Sequence, residues 1–183
     1  VIFTAIDLEL NKNEENTHTT DIIQLGSCTG NVYTGEILET NSFFVKIDKP
    51  LIPYIEQLTH ITDYKLQSKG TTLLEAYNKL KAVHQKYEAK TSLITWGSGD
   101  HLELKKQLIA QGMKEEDWAF GYRCLDTKTL VQSIQLANKS SMQGGLKKGC
   151  ARFGVTFPHP AHDAANDAKA TFLLYVELLK RLK

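Results

Sequence analysis

The chain opens on an alternating run, Val1-Ile-Phe-Thr-Ala-Ile-Asp7-Leu-Glu9-Leu-Asn11. Strand side chains point to opposite faces in turn, so Val1, Phe3, Ala5, Asp7 and Glu9 share one face. Ile2, Thr4, Ile6, Leu8 and Leu10 share the other. Both faces are apolar for most of their length, which predicts a strand central in its sheet. Its far end then carries two carboxylates on one face. Like charges that close repel and lose hydration unless a cation sits between them, so the pattern implies a divalent site at the mouth of a sheet.

Farther along, Lys12 to Thr20 is polar and reads as a loop. Asp21 to Cys28, Val32 to Leu38 and Ser42 to Ile47 read as strands, with Gly30-Asn31 as a turn, and complete an antiparallel meander. Pro50 and Pro53 interrupt the pattern. Leu73, Leu74, Tyr77, Leu80, Val83, His84 and Tyr87 recur at helical spacing over Thr71 to Tyr87. Ser92 to Trp96 is a short apolar strand before a helix from Asp100 to Ala110. Gly121 to Leu125 suggests another strand, and helices are expected over Thr127 to Leu136, Leu146 to Phe153 and Asp163 to Leu182. In the last of these, Ala164, Ala168, Thr171, Tyr175, Leu178 and Leu179 form the core stripe. Lys180, Arg181 and Lys183 suit its negative C-terminal end. Strands first and βα units later predict one α/β domain over residues 1–183, with a mixed central sheet flanked by helices.

Composition adds exclusions. An apolar fraction of 42%, a charged fraction of 23% and a net charge of +1 describe an ordinary globular chain with no basic tail. A local basic cleft is still compatible with a neutral total. Cys28, Cys124 and Cys150 are odd in number and lack zinc-finger spacing, which fits reduced thiols and a cytoplasmic setting. No apolar run has the length of a membrane span, and no basic region precedes an apolar one at the N-terminus.

Chemistry concentrates in the carboxylates at element ends: Asp7 and Glu9, Asp100 after Trp96-Gly-Ser-Gly, and Asp167 in the first turns of the last helix. Oxygen ligands of this kind suit hard divalent ions and two-metal phosphoryl transfer. His162 stands five residues before Asp167, where a neutral imidazole can accept a proton. His159 is its rival in Pro158-His-Pro-Ala-His162. His18, His84 and His101 are read as ordinary residues. Asp100 could equally cap its helix, and Asp163 is read as the cap of the last one. Lys147, Lys148 and Arg152, with Lys105 and Lys106, could meet phosphates but as charge groups are more often a solvated face. Trp96, Tyr54 and Tyr64 are candidate stacking surfaces.

Asp7-x-Glu9, a central Asp100 and His162-x4-Asp167, in that order, resemble the DEDDh group of DnaQ-like 3′–5′ exonucleases. Phe43-Phe-Val45 through Pro50, Leu58-Thr-His-Ile-Thr62 and Gly145-Leu-Lys-Lys-Gly-Cys-Ala-Arg-Phe-Gly154 agree with it, so the resemblance spans the chain. Trp96-Gly-Ser-Gly-Asp100 is similar to the second motif of the Eri-1-like RNA-trimming nucleases. The resemblance implies an RNase H-like fold, two magnesium or manganese ions, and release of nucleoside 5′-monophosphates from the 3′ end of a single strand of RNA or DNA. It implies Asp7, Glu9 and Asp167 around the metal that activates water. Asp7 would bridge to a second metal that Asp100 supports, and His162 would be the general base. Leu10-Asn11 stand where many members carry Thr-Thr-Gly against the terminal sugar. His60 lies in the segment that meets the terminal base, and with Trp96 these complete the expected substrate contacts. A non-catalytic nucleic-acid-binding domain of the same fold, or an RNase H-like endonuclease, is the alternative.

Overall fold

The structure is a computed structural model that describes residues 1–13, 16–141 and 144–182. Five strands form one sheet: β1 (Ile2–Asn13), β2 (Asn16–Asn31), β3 (Ile37–Phe44), β4 (Ile94–Thr95) and β5 (Leu125–Asp126). Their order is β3-β2-β1-β4-β5, so β1 is central as its two apolar faces require. β1 and β2 pair antiparallel, with Asp7 opposite Gly26 and Glu9 opposite Gln24. β2 and β3 are also antiparallel, whereas β4 runs parallel to β1 and β5 parallel to β4. This is the mixed sheet with an N-terminal meander.

Among the described residues seven α-helices surround it: α1 (Pro53–Thr59), α2 (Asp63–Lys69), α3 (Leu73–Lys86), α4 (Gly99–Ala110), α5 (Thr127–Ala137), α6 (Leu146–Phe153) and α7 (Ala164–Arg181). Ile6 and Leu8 of β1 face α3 and α4, packing with Leu73, Tyr77, Leu80, Leu104 and Leu108. Ala5, Cys28 and Ile94 on the opposite face meet Ala168, Phe172 and Val176 of α7. The outer side of α7 then takes α5 and α6, through Val131, Cys150, Phe153, Leu174 and Leu178. Asp7 and Glu9 share a face with Ala5, so they point toward α7, the helix that carries Asp167. Among the described residues no helix is long and apolar enough to cross a membrane.

Several local expectations are corrected. Lys12 and Asn13, and residues 16–20, are strand rather than loop: β1 continues to Asn13 and β2 begins at Asn16, because the backbones keep pairing after register shifts at Glu9/Leu10 and Asn11/Asn13. Residues 14 and 15, and the side chain of His18, lie outside the described residues, as does Lys183. One strand, β3, replaces the two expected over Val32 to Leu38 and Ser42 to Ile47. The turn falls after Asn31 rather than on it. The Asn31 carboxamide accepts from Tyr33 N (3.0 Å), the Thr34 hydroxyl from Glu36 N (3.2 Å), and Gly35 adopts φ +78°. These local bonds use up the segment that alternation assigned to a strand. Pro53 does not break structure but begins α1, at a position where a missing N–H costs nothing. The strand expected over Gly121 to Leu125 shrinks to Leu125–Asp126.

Candidate active site

The N-terminus of α7 rests on β2, and two residues of β2 set that contact. Gly26 leaves the room: a β-carbon there would collide with the backbone of Ala164 and Ala165. Gln24 makes the attachment, although nothing in the amphipathic pattern marked it. Its Nε2 donates to Asp163 Oδ2 (3.0 Å) and to the Ser42 hydroxyl (2.8 Å), and its Oε1 accepts from Ala164 N (3.1 Å). Asp163 caps α7 as expected, accepting from Asn166 N (3.1 Å). The only advance sign of Gln24 was a polar residue inside the apolar run Ile22-Ile-Gln-Leu25.

That contact brings the sequence-predicted carboxylates together. One oxygen each of Glu9 and Asp167 and a ring nitrogen of His162 lie within 4.8 Å of one another. His162 itself is exposed and adopts φ +58°, in the left-handed region. Asp7 is half-buried, and burial raises its pKa well above the ordinary carboxylate value, with Asp100, Asp167, Glu9 and Asp163 all adding to the rise. Burial and then Asp167, Asp163 and Asp100 push Glu9 up to about 8. Asp100, raised by burial, reaches about 7. Asp167 reaches about 6 through burial, although the His162 charge and backbone N–H pull it back. Asp100 does not cap α4: the N-cap is Ser98, and Asp100 lies inside the first turn.

Among the described residues no Lys or Arg pairs with any of these four carboxylates, and Asp167 Oδ1 is buried without a hydrogen-bond partner. Crowded acids with raised pKa values, an orphaned oxygen and no paired Lys or Arg among the described residues fit a divalent cation. The carboxylate oxygens suit a hard ion such as magnesium or manganese.

The remaining candidates are placed around this cluster. Asn11 is buried and occupied: its Nδ2 donates to Pro50 O (3.2 Å) and its Oδ1 accepts from Ile52 N (3.0 Å), tying β1 to the start of α1. Leu10 packs against the core on the α3 and α4 face. His60 is exposed at the left-handed end of α1. Trp96 is half-buried beyond β4, against α6. Tyr54 and Tyr64 are exposed. His84 and His101 are buried and hydrogen-bonded, to Thr4 Oγ1 (3.2 Å) and Gly121 O (2.9 Å), in keeping with structural roles.

The model of the RNase T family, described as exonucleases, matches residues 4–175. The chain belongs to this exonuclease family. A curated relative, a PolC-type DNA polymerase III of Mycoplasmopsis pulmonis (strain UAB CTIP), is 26% identical over 164 residues. Those residues are 89% of this chain and 10% of the relative, so the chain spans about a tenth of that protein. Among solved structures, the nuclease domain of 3′hExo, a DEDDh family member bound to rAMP, superposes with a TM-score of 0.80 at 22% identity, covering 98% of this chain and 92% of that one. A structure of histone mRNA stem-loop recognition by a 3′-exonuclease gives 0.83 at 21% identity, over 98% and 64%. Pop2p of S. pombe, with Mg2+ and Mn2+ bound, gives 0.73 at 18%, over 98% and 83%. At these identities the likeness is one of fold, and it agrees with the RNase H-like α/β architecture.

Proposed function

We propose that residues 1–183 form one metal-dependent 3′–5′ exonuclease domain that releases nucleoside 5′-monophosphates from the 3′ end of single-stranded RNA or DNA. The observation that carries this reading is the convergence of Asp7, Glu9, Asp100 and Asp167 with His162 in a cluster to which, among the described residues, no Lys or Arg is ion-paired. Asp7, Glu9 and Asp167 would hold one ion, and Asp7 with Asp100 a second. When bound, such ions supply the Lewis-acid pull that stabilises charge developing on the phosphoryl oxygens.

The protein supplies position and proton transfer. Glu9 and Asp167 come from separate elements, so the β2–α7 contact sets their spacing. An imidazole nitrogen of His162, close to both carboxylates and open to solvent, takes the proton of the attacking water as general base. His60, Leu10, Asn11 and Trp96 remain the proposed contacts for the terminal nucleotide. Among these, Asn11 acts by holding the Pro50–Ile52 turn that leads into α1.

Nucleotide release from a 5′-labelled oligonucleotide tests the reading. Asp7→Ala, or EDTA, should abolish shortening of the strand from its 3′ end, and persistence of activity after either would overturn the mechanism. His162→Ala should lower kcat by about 10²- to 10⁴-fold, the usual worth of a general base. If His159→Ala does this instead, the base is misassigned. A circular single strand should survive intact; its cleavage would mark an endonuclease.

A further inference from the structure

The carboxylate cluster repels the polyanion that it is proposed to cut. Bound cations can neutralise the phosphate at the reacting bond, but phosphates farther along the strand need cationic partners elsewhere. One concave surface beside the cluster has the opposite sign. Between α5 and α6 lies a cleft lined by Trp96, Lys128, Gln132, Gln135, Lys148 and Arg152, with no acidic residue in its wall. It encloses about 10 Å³, room for about one water. Ligand groups therefore sit at its mouth.

Three further features point to an anion there. Lys128 and Lys148 stand in the first turns of α5 and α6, where the helix dipole disfavours a cation. Both are exposed, and neither has an ion-pair partner among the described residues. The N-cap of α6 is Gly145, which offers no side-chain hydrogen bond, so the first N–H groups of α6 start uncapped beside Lys148. Arg152 is held in place, its Nη1 donating to Ser141 O (2.7 Å). At the wall, Gln135 is only 5% exposed, and its Oε1 has no hydrogen-bond partner. That oxygen is closed to solvent, so contacts to an anion at the mouth fall to Lys128, Lys148 and Arg152.

The cleft adjoins the carboxylates through two elements. Trp96 follows β4, whose Ile94 pairs with Ala5, two residues before Asp7. On α6, the buried Cys150 thiol reaches Ala170 O of α7 (3.9 Å), and α7 carries Asp167. We propose that the α5–α6 cleft is an anchor for backbone phosphates of a nucleic-acid strand, 5′ of the nucleotide held at the carboxylates. The choice of ligand rests on the nuclease reading; the cationic cleft does not.

Fluorescence anisotropy of 5′-labelled 12-nucleotide single strands, DNA and RNA in parallel, tests this with the full chain in EDTA, where no cutting occurs. The double variant Lys128→Ala/Lys148→Ala should raise Kd at least tenfold for both strands. Its plot of log affinity against log salt should be shallower by about 1.4, the value for two lost single-strand phosphate contacts. Lys79→Ala/Lys81→Ala on α3 should bind like wild type. Unchanged Kd and slope in the first variant, equal losses in both variants, or no strand binding by wild type would each overturn the anchor. If wild type hydrolyses nothing yet the first variant alone loses binding, the nuclease reading fails and the anchor stands. If wild type hydrolyses the strand and the first variant binds it unaltered, the anchor fails and the nuclease reading stands.

Discussion

Gln24 shows how one amide can position a site without touching its chemistry. It lies opposite Glu9 in the sheet, and its side-chain hydrogen bonds go to β3 or to the start of α7. Gln24→Leu keeps most of the volume but leaves the Ala164 N–H and one Asp163 oxygen without that partner. A buried polar group left unsatisfied costs about 1–3 kcal/mol, so the urea midpoint should fall accordingly. Because α7 carries Asp167, kcat should fall with it while strand affinity in EDTA holds. A variant with normal kcat would show that the clamp is purely structural.

At the level of elements, the contact between β2 and α7 is the joint on which the site depends. Gly26 is opposite Asp7, and the α7 backbone presses on it. Gly26→Ala therefore forces α7 outward, and such overpacking costs about 1–3 kcal/mol. The expected result is a lower melting temperature together with weaker Mn2+ binding by calorimetry, since Asp167 moves away from Asp7. Gly99→Ala, at a position with nothing within 4 Å of the added carbon, should leave stability nearly unchanged. Equal effects in the two variants would argue against the joint. Phe172 locks the same joint from the core side, fully buried against β1 and β2 residues.

For the whole molecule, the carboxylate cluster makes stability depend on pH and on cations. Glu9 at about 8, Asp100 at about 7, Asp167 at about 6 and a raised Asp7 bind protons in the folded state that the unfolded chain has released. Where the folded state holds more protons, stability falls as pH rises. The loss begins above the ordinary carboxylate range, and the Glu9 share of it is complete above about 8, where Glu9 has ionised in the folded state too. His84 opposes it only on the acid side: its lowered pKa costs stability as pH falls below its ordinary value of ~6.5. In EDTA the melting temperature should therefore decline between pH 6.5 and 8, in a window set by ~6.5 for His84 and about 8 for Glu9. Added Mg2+ or Mn2+ should restore it by mass action, and more strongly at pH 8 than at pH 6. A melting temperature that ignores both pH and cation would remove the case for a divalent site.

Periodicity alone was sufficient for β1, α3, α6 and α7, because each buries a face whose spacing is local to the element. The two faces of β1 were assigned correctly for the same reason, and that placed Asp7 and Glu9 toward a helix. The ordered acidic motif named Asp7, Glu9, Asp100 and Asp167, which the fold brings together; it left out Asp163, whose charge adds to theirs, and it put Asp7 and Glu9 at a strand end although β1 runs on to Asn13. The β1–β2 extension, the single β3 and the helix begun by Pro53 were not readable. They depend on backbone pairing and turn bonds that side-chain patterns do not record. Gln24 and Gly26 were silent for a related reason. Their roles exist only once residues some 140 positions away arrive beside them. The acidic pair on one face of the first strand is thus written in the chain, and the distance at which Asp167 and His162 meet it is a property of the folded packing.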